Sequence, residues 1–190
     1  MKKLLLNPFE KFTELQMLLA GLLLFIAGNL GAYNFGARFD GALDLHFTGH
    51  VTLLQPFVDN AINTIALLLC LYITGCIINQ KTRVVDVLVA VLISRVPFYL
   101  LPAFNTNKYL EDITNGLIIS GFESVSTPDI TYILLFALVT IGALALLLVL
   151  LYNGFKTAAN LKSTTHKTLF AVGILAAEAI SKLLIGYINY

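Results

Sequence analysis

Three charged residues lie inside long apolar stretches of the sequence, namely Arg95, Glu178 and Lys182. On insertion scales, a charged side chain at the centre of a membrane helix costs about 2.5 to 3.5 kcal/mol, so such residues face other helices or a polar cavity. One interpretation is a structural ion-pair network that joins helices, which the near balance of charge favours. The other is a path for protons or small solutes, and the sequence leaves both open.

Acidic and histidine residues of the types that bind zinc cluster between residues 38 and 59. They are Asp40, Asp44, His46 and His50. Metal ligands must converge on one point. Over residues 44–53, however, polar and apolar residues alternate, which predicts a hairpin with Thr48-Gly49 at its tip and with His46 and His50 on opposite faces. We therefore interpret the four residues as solvating polar side chains and expect neither a metal nor another cofactor.

The sequence lacks the local motifs by which the common enzyme sites are recognised. We find no glycine-rich phosphate loop, nucleophile elbow, zinc-protease motif or pair of carboxylates at catalytic spacing, so we expect that the protein is not an enzyme. Its formal net charge is +1, and its basic residues occur in small groups along the chain rather than in one patch. We therefore do not expect nucleic acid to be a partner.

The composition indicates the solvent in which the chain folds. Of the 190 residues, 58% are hydrophobic and only 12% are charged. A soluble domain of this length cannot bury that much apolar surface in a single core, so the composition predicts an all-α membrane protein whose solvent is lipid. The lipid bilayer is accordingly the first partner that we expect.

A helix that crosses a bilayer needs roughly 20 apolar residues, and the sequence contains five candidate segments. Three are free of charge, and two include an internal charge. We predict a single membrane domain over residues 1–190, with spans at about 16–37, 60–80, 84–103, 130–155 and 168–190 and with outer loops at 38–59 and 104–129.

The basic residues between the predicted spans give the orientation. Cytoplasmic connections carry an excess of Lys and Arg. With five spans, eight of these residues fall on the side of the N-terminus, and only Arg38 and Lys108 fall on the other. The distribution therefore predicts a cytoplasmic N-terminus and an external C-terminus.

Local signals predict how several elements begin and end. Asn7-Pro8 followed by Glu10 is typical of a helix start and predicts a short interfacial helix before the first span. Thr127, followed by Pro128 and Asp129, predicts the start of the fourth span. Two prolines predict a break in the outer half of the third span, and apolar residues at helical spacing predict an outer surface helix. These last two signals lie at Pro97 and Pro102 and at residues 109–118.

Several of these features coincide in one known family. They are the N-terminal segment Asn7-Pro8-Phe9-Glu10-Lys11-Phe12, the five spans, the long outer loops, and the run YNGFKTAANLK at residues 152–162. In these respects the chain resembles the Yip (Ypt/Rab-interacting protein) family, and in particular its short prokaryotic members. The resemblance implies a non-enzymatic scaffold or adaptor, in the inner membrane of a prokaryote, that organises membrane or holds other membrane proteins.

The eukaryotic members of this family are associated with Rab-type GTPases through a sizeable cytosolic N-terminal region. Here about fifteen residues precede the first predicted span, and the Asp-Leu-Tyr-Gly-Pro signature of those members is missing. We therefore do not expect binding of a Rab-type GTPase. Expected partners are other membrane proteins or a second copy of the chain. The alternative function is a small-solute or ion transporter that uses Arg95, Glu178 and Lys182.

Overall fold

The computed structural model describes residues 6–121 and 125–188. The fold is mostly helical, and five helical segments are long and apolar enough to cross a membrane. The α-helices are α1 (Glu14–Asn34), α2 (Leu54–Ile78), α3 (Val84–Ser94), α4 (Tyr109–Ser120), α5 (Thr127–Ala159) and α6 (Thr164–Tyr187). Two strands, β1 (Ala37–Gly41) and β2 (Asp44–Phe47), form a hairpin, and 3-10 turns cover Pro8–Glu10 and Val96–Lys108.

Two helix pairs form the centre of the bundle. α2 packs along α6, α3 packs along α5, and α1 lies against α3 and the 3-10 segment that follows it. Leu67, Leu71, Leu147, Leu151 and Phe155 are fully buried at the centre. Apolar residues on the opposite faces of the helices stay exposed, as expected for helices whose outer surface contacts lipid.

The third predicted span is broken where its prolines lie. α3 ends at Ser94, whose hydroxyl donates to the Val91 carbonyl over 2.8 Å. Because Pro97 has no N–H to continue an α-helical ladder, the chain proceeds as 3-10 helix from Val96. The prediction of a break is confirmed, and so is the helix after it, which is α4.

One predicted start is confirmed and one needs correction: the first element starts after Asn7, as predicted, but is shorter, and the cap of α5 is a different residue. The N-terminal interfacial helix is reduced to the single 3-10 turn Pro8–Glu10, because a capping box between Thr13 and Gln16 starts α1 directly after it. At the start of α5, the cap is Ser126 and not Thr127. The Ser126 hydroxyl and the Asp129 carboxylate each accept from the other residue's backbone N–H, which makes Thr127 the first helical residue.

The hairpin also differs from the prediction. Its turn is Ala42-Leu43, and Thr48-Gly49 follows β2 instead of forming the tip. The register pairs Ala37 with Phe47 and Arg38 with His46. The missed strand is β1, in which alternate residues are buried against the bundle. Burial of that face selects the observed register over the predicted one.

The second span starts earlier than the predicted residue 60. α2 begins at Leu54, so its first turns contain Pro56, Asp59 and Asn60, all of which are buried. Asp59 therefore belongs to a helix and not to the predicted outer loop. The hairpin packs against these first turns of α2 and against α6, and it brings polar groups into the bundle.

Candidate functional site

The turn of the hairpin is the centre of the polar interior. Ala42 is fully buried, and the polar groups of its backbone contact side chains from α6 and from the end of α3. Gly41 approaches α6 so closely that a β-carbon there would lie 2.5 Å from Glu178 Oε1. A larger residue at this position would therefore have to displace the carboxylate of Glu178.

Arg95 and Glu178 bind the two ends of one peptide unit. Nη1 of Arg95 donates to the Ala42 carbonyl over 2.7 Å, and the Leu43 N–H donates to Oε2 of Glu178 over 2.8 Å. That carbonyl and that N–H belong to the same peptide group. Its dipole, of about 3.5 D, has its oxygen toward the cation and its hydrogen toward the anion, which is the favourable orientation. The turn therefore links the two charges electrostatically.

For Arg95, this arrangement differs from the ion-pair network that was one interpretation of the sequence, because the guanidinium meets a backbone carbonyl instead of a carboxylate. Among the described residues, Arg95 and Glu178 form no ion pair with each other. The physical reason is that the hairpin turn lies between them and offers each charge a polar group of opposite sign. The sequence could not show this, because Ala42 and Leu43 carry no polar side chain.

Lys182, the third charged residue, lies further along α6 and is half exposed. Its Nζ is 2.8 Å from Oδ2 of Asp44 and 3.4 Å from Oε1 of Glu178. Asp44 thereby neutralises the positive charge that Arg95, Glu178 and Lys182 would leave in excess. Ser181 completes the contacts of the turn, because its hydroxyl accepts from the Ala42 N–H over 3.2 Å.

Asparagine side chains connect the guanidinium of Arg95 to α1 and α2. Nε of Arg95 donates to Oδ1 of Asn60 over 3.0 Å, and Nδ2 of Asn60 donates to Oδ1 of Asn29 over 2.9 Å. Asn63 donates to the Phe39 carbonyl of β1 over 2.9 Å. These three asparagines are fully buried, so they form an interior network and not a solvated surface.

A buried ion pair fixes β1 to α2. Nε and Nη2 of Arg38 each donate to a different carboxylate oxygen of Asp59, both over 2.9 Å, in a bidentate pair. The Asp59 side chain is 0% exposed and that of Arg38 is 14% exposed. The sequence interpretation missed this pair because it assigned both residues to a solvated loop. A signal was present, since Asp59 and Asn63, and likewise Asn60 and Thr64, are one helical turn apart.

The four candidate metal-binding residues do not converge. Asp40 and His46 contact each other across the hairpin, whereas Asp44 contacts Lys182. His50 is exposed and lies beyond β2. Within residues 6–121 and 125–188 there is no group of three or more His, Cys, Asp or Glu side chains placed to hold a metal ion. Asp40, Asp44 and His46 instead line an open, mixed-charge cleft together with Arg38 and Lys182.

Taken together, these contacts attach the hairpin to three helices. Arg95 holds it from α3, Glu178, Ser181 and Lys182 hold it from α6, and Asp59 and Asn63 hold it from α2. These contacts stabilise the irregular backbone of the hairpin inside a helical bundle. Comparisons with protein-family models, with curated proteins and with solved structures find no significant match to this chain.

Proposed function

We propose that the chain is an integral membrane protein that acts as a non-enzymatic scaffold or adaptor of the Yip type. In this proposal it lies in the inner membrane of a prokaryote, with five spans and a cytoplasmic N-terminus. The five long apolar helices support membrane insertion. The observation that carries the scaffold role is that the interior charges are bound to the hairpin turn, and hence serve the fold.

The state of Arg95 favours the scaffold over the transporter. Its side chain is 0% exposed, and two of its nitrogens donate to groups fixed by the fold, Asn60 Oδ1 and the Ala42 carbonyl. A residue that binds a transported solute must be reachable and must be able to exchange partners. Arg95 does not meet the first requirement in this structure, and its replacement would release the Ala42 carbonyl of the hairpin.

The proposed surface for partner proteins is the inner end of the bundle. There the N-terminal turn is fastened to α5, because Asn153 donates to the Leu6 carbonyl over 2.7 Å and Phe9 packs beside Gly154. Three exposed lysines follow Asn153 and Gly154 along the chain, at the end of α5, in the connection to α6 and at the start of α6. They are Lys156, Lys162 and Lys167. The positive charge of these lysines suits an acidic segment of a membrane partner.

Affinity purification from native membranes tests this role. We expect a defined membrane protein to copurify with the wild type and to be lost when Lys156, Lys162 and Lys167 are all changed to Glu. Lys108→Glu, on the proposed outer face, is a single charge reversal away from this surface and should keep the partner. Solute-dependent flux in reconstituted vesicles that disappears in Glu178→Gln would instead support the transporter and overturn the scaffold proposal.

The proposed topology has a separate test. A reporter that is active only outside the cytoplasm should be active when fused after Tyr190 and inactive when fused after Lys162. The reason is the excess of basic residues on the side of the N-terminus, which holds those connections in the cytoplasm. If both fusion proteins are intact but show the opposite activities, the protein has the opposite orientation. If the two activities are equal, no span separates the two fusion points.

A further inference from the structure

Four buried polar atoms beside the hairpin have no hydrogen-bond partner in the protein. They are Nη2 of Arg95, Nδ2 of Asn29, Oδ1 of Asn63 and Oγ1 of Thr64. Arg95, Asn29 and Asn63 are 0% exposed, and Thr64 is 8% exposed. Buried polar groups of folded proteins are satisfied by protein or by ordered water, so this group of atoms requires an explanation.

The four atoms belong to one neighbourhood. Asn60 is hydrogen-bonded to both Arg95 and Asn29. Nη2 of Arg95 lies on the same edge of the guanidinium as Nε, and Nε donates to Oδ1 of Asn60. Asn63 and Thr64 are three and four residues after Asn60 on α2, which puts them on the face of the helix that carries Asn60. Each of the four residues therefore either contacts Asn60 or shares its face of α2.

We propose that these atoms line an internal site that binds ordered water in the interior of the bundle. The amide nitrogen of Asn29 and Nη2 of Arg95 are donors, whereas Oδ1 of Asn63 is an acceptor and the Thr64 hydroxyl is both. A water molecule accepts from the donors and donates to the acceptor in the same site. Buried water of this kind makes about three hydrogen bonds to groups that are otherwise unsatisfied.

Charge balance favours water over an ion. Each interior charge is already matched: Arg95 with Glu178 through the peptide unit, Arg38 with Asp59, and Lys182 with Asp44. An anion would meet the acceptor oxygen of Asn63, and a cation would meet the guanidinium of Arg95. Neither obstacle applies to a neutral ligand that both donates and accepts.

The site gives the hairpin a second means of support. In the proposed membrane setting, non-helical backbone is tolerated only where protein buries it or where it borders water. Bound water would complete the hydrogen bonding of Arg95, and Arg95 holds the Ala42 carbonyl. The site lies in the interior of the protein, and water can occupy it whether or not the protein is a scaffold.

Thr64→Val tests the site, because a site with bound water and a dry site predict different changes in the Tm. Valine keeps the shape of threonine and removes Oγ1. If water binds Oγ1, its loss should lower the Tm of the detergent-purified protein by about 2 to 4 °C. If the site is dry, the variant removes an unsatisfied polar atom, and the Tm should stay the same or rise, which would overturn the proposal. Thr74→Val, on the same helix and equally buried, loses only the intrahelical bond to Cys70 and should change the Tm less.

Two further measurements examine the ligand itself. Hydroxyl radicals produced by X-rays label side chains beside bound water, so Phe39, next to Arg95, should be labelled at least several-fold more than Phe155. Both rings are 0% exposed, which makes Phe155 the control. Equal labelling of the two would overturn the proposal. A Tm that falls when chloride is replaced by gluconate would also overturn it, because that result would assign the site to an anion.

Discussion

Glu178→Ala should destabilise the protein more than the double change Arg95→Met with Glu178→Met. The single change removes the carboxylate that balances the fully buried guanidinium of Arg95 across the turn, and a buried charge without compensation costs several kcal/mol. It also leaves the Leu43 N–H unpaired. The double change removes both charges and leaves the Ala42–Leu43 peptide unit with unpaired polar ends, at about 1 to 3 kcal/mol for each end. Methionine fills most of the space in each case.

Thermal unfolding of the three proteins in the same detergent measures this difference. Glu178→Gln is the matched control, because its amide oxygen can still accept from the Leu43 N–H while its charge is gone. We expect the Gln variant to fall between the wild type and Glu178→Ala. A double variant that is much less stable than the single one would show that hydrogen bonding to the turn, and not charge balance across it, dominates.

The long apolar helices could be predicted from the sequence for a simple physical reason. A run of about 20 apolar residues has few stable environments other than lipid, so hydropathy alone locates it. The break after Ser94 could also be predicted from the sequence, because a proline removes a backbone hydrogen-bond donor at any position. Predictions of this kind depend on residues that are close together in the chain.

The site required contacts that local pattern does not contain. Polar and apolar residues alternate over 44–53 in a way that is compatible with several hairpin registers. Burial of β1 selects the observed register, and so does Glu178, which accepts from the N–H of Leu43, 135 residues away in the chain. The predicted start of α2 is too late because the charge of Asp59 ends the charge-free run that begins at Asn60. In the structure Asp59 is inside the helix because Arg38 of the hairpin is its partner, and Asn60 is bonded to Arg95.

The pair of Arg38 and Asp59 should be among the most important single contacts for stability. Asp59→Ala removes the partner of a guanidinium that is 14% exposed, and loss of one member of a buried pair costs about 3 to 5 kcal/mol. Because Arg38 lies on β1, its release should also loosen the hairpin. We therefore expect a lower Tm together with faster hydrogen exchange of the backbone amides of β1 and β2.

Arg83→Met supplies the comparison, since Arg83 also pairs with a carboxylate on another helix. Its Nη2 is 3.0 Å from Oε2 of Glu14, but both side chains are largely exposed, and exposed pairs contribute about 0 to 1 kcal/mol. The expected order is a large loss for Asp59→Ala and a small one for Arg83→Met. If the two losses were similar, or if hydrogen exchange in the hairpin stayed unchanged in Asp59→Ala, then the attachment of β1 to α2 would not depend on this ion pair.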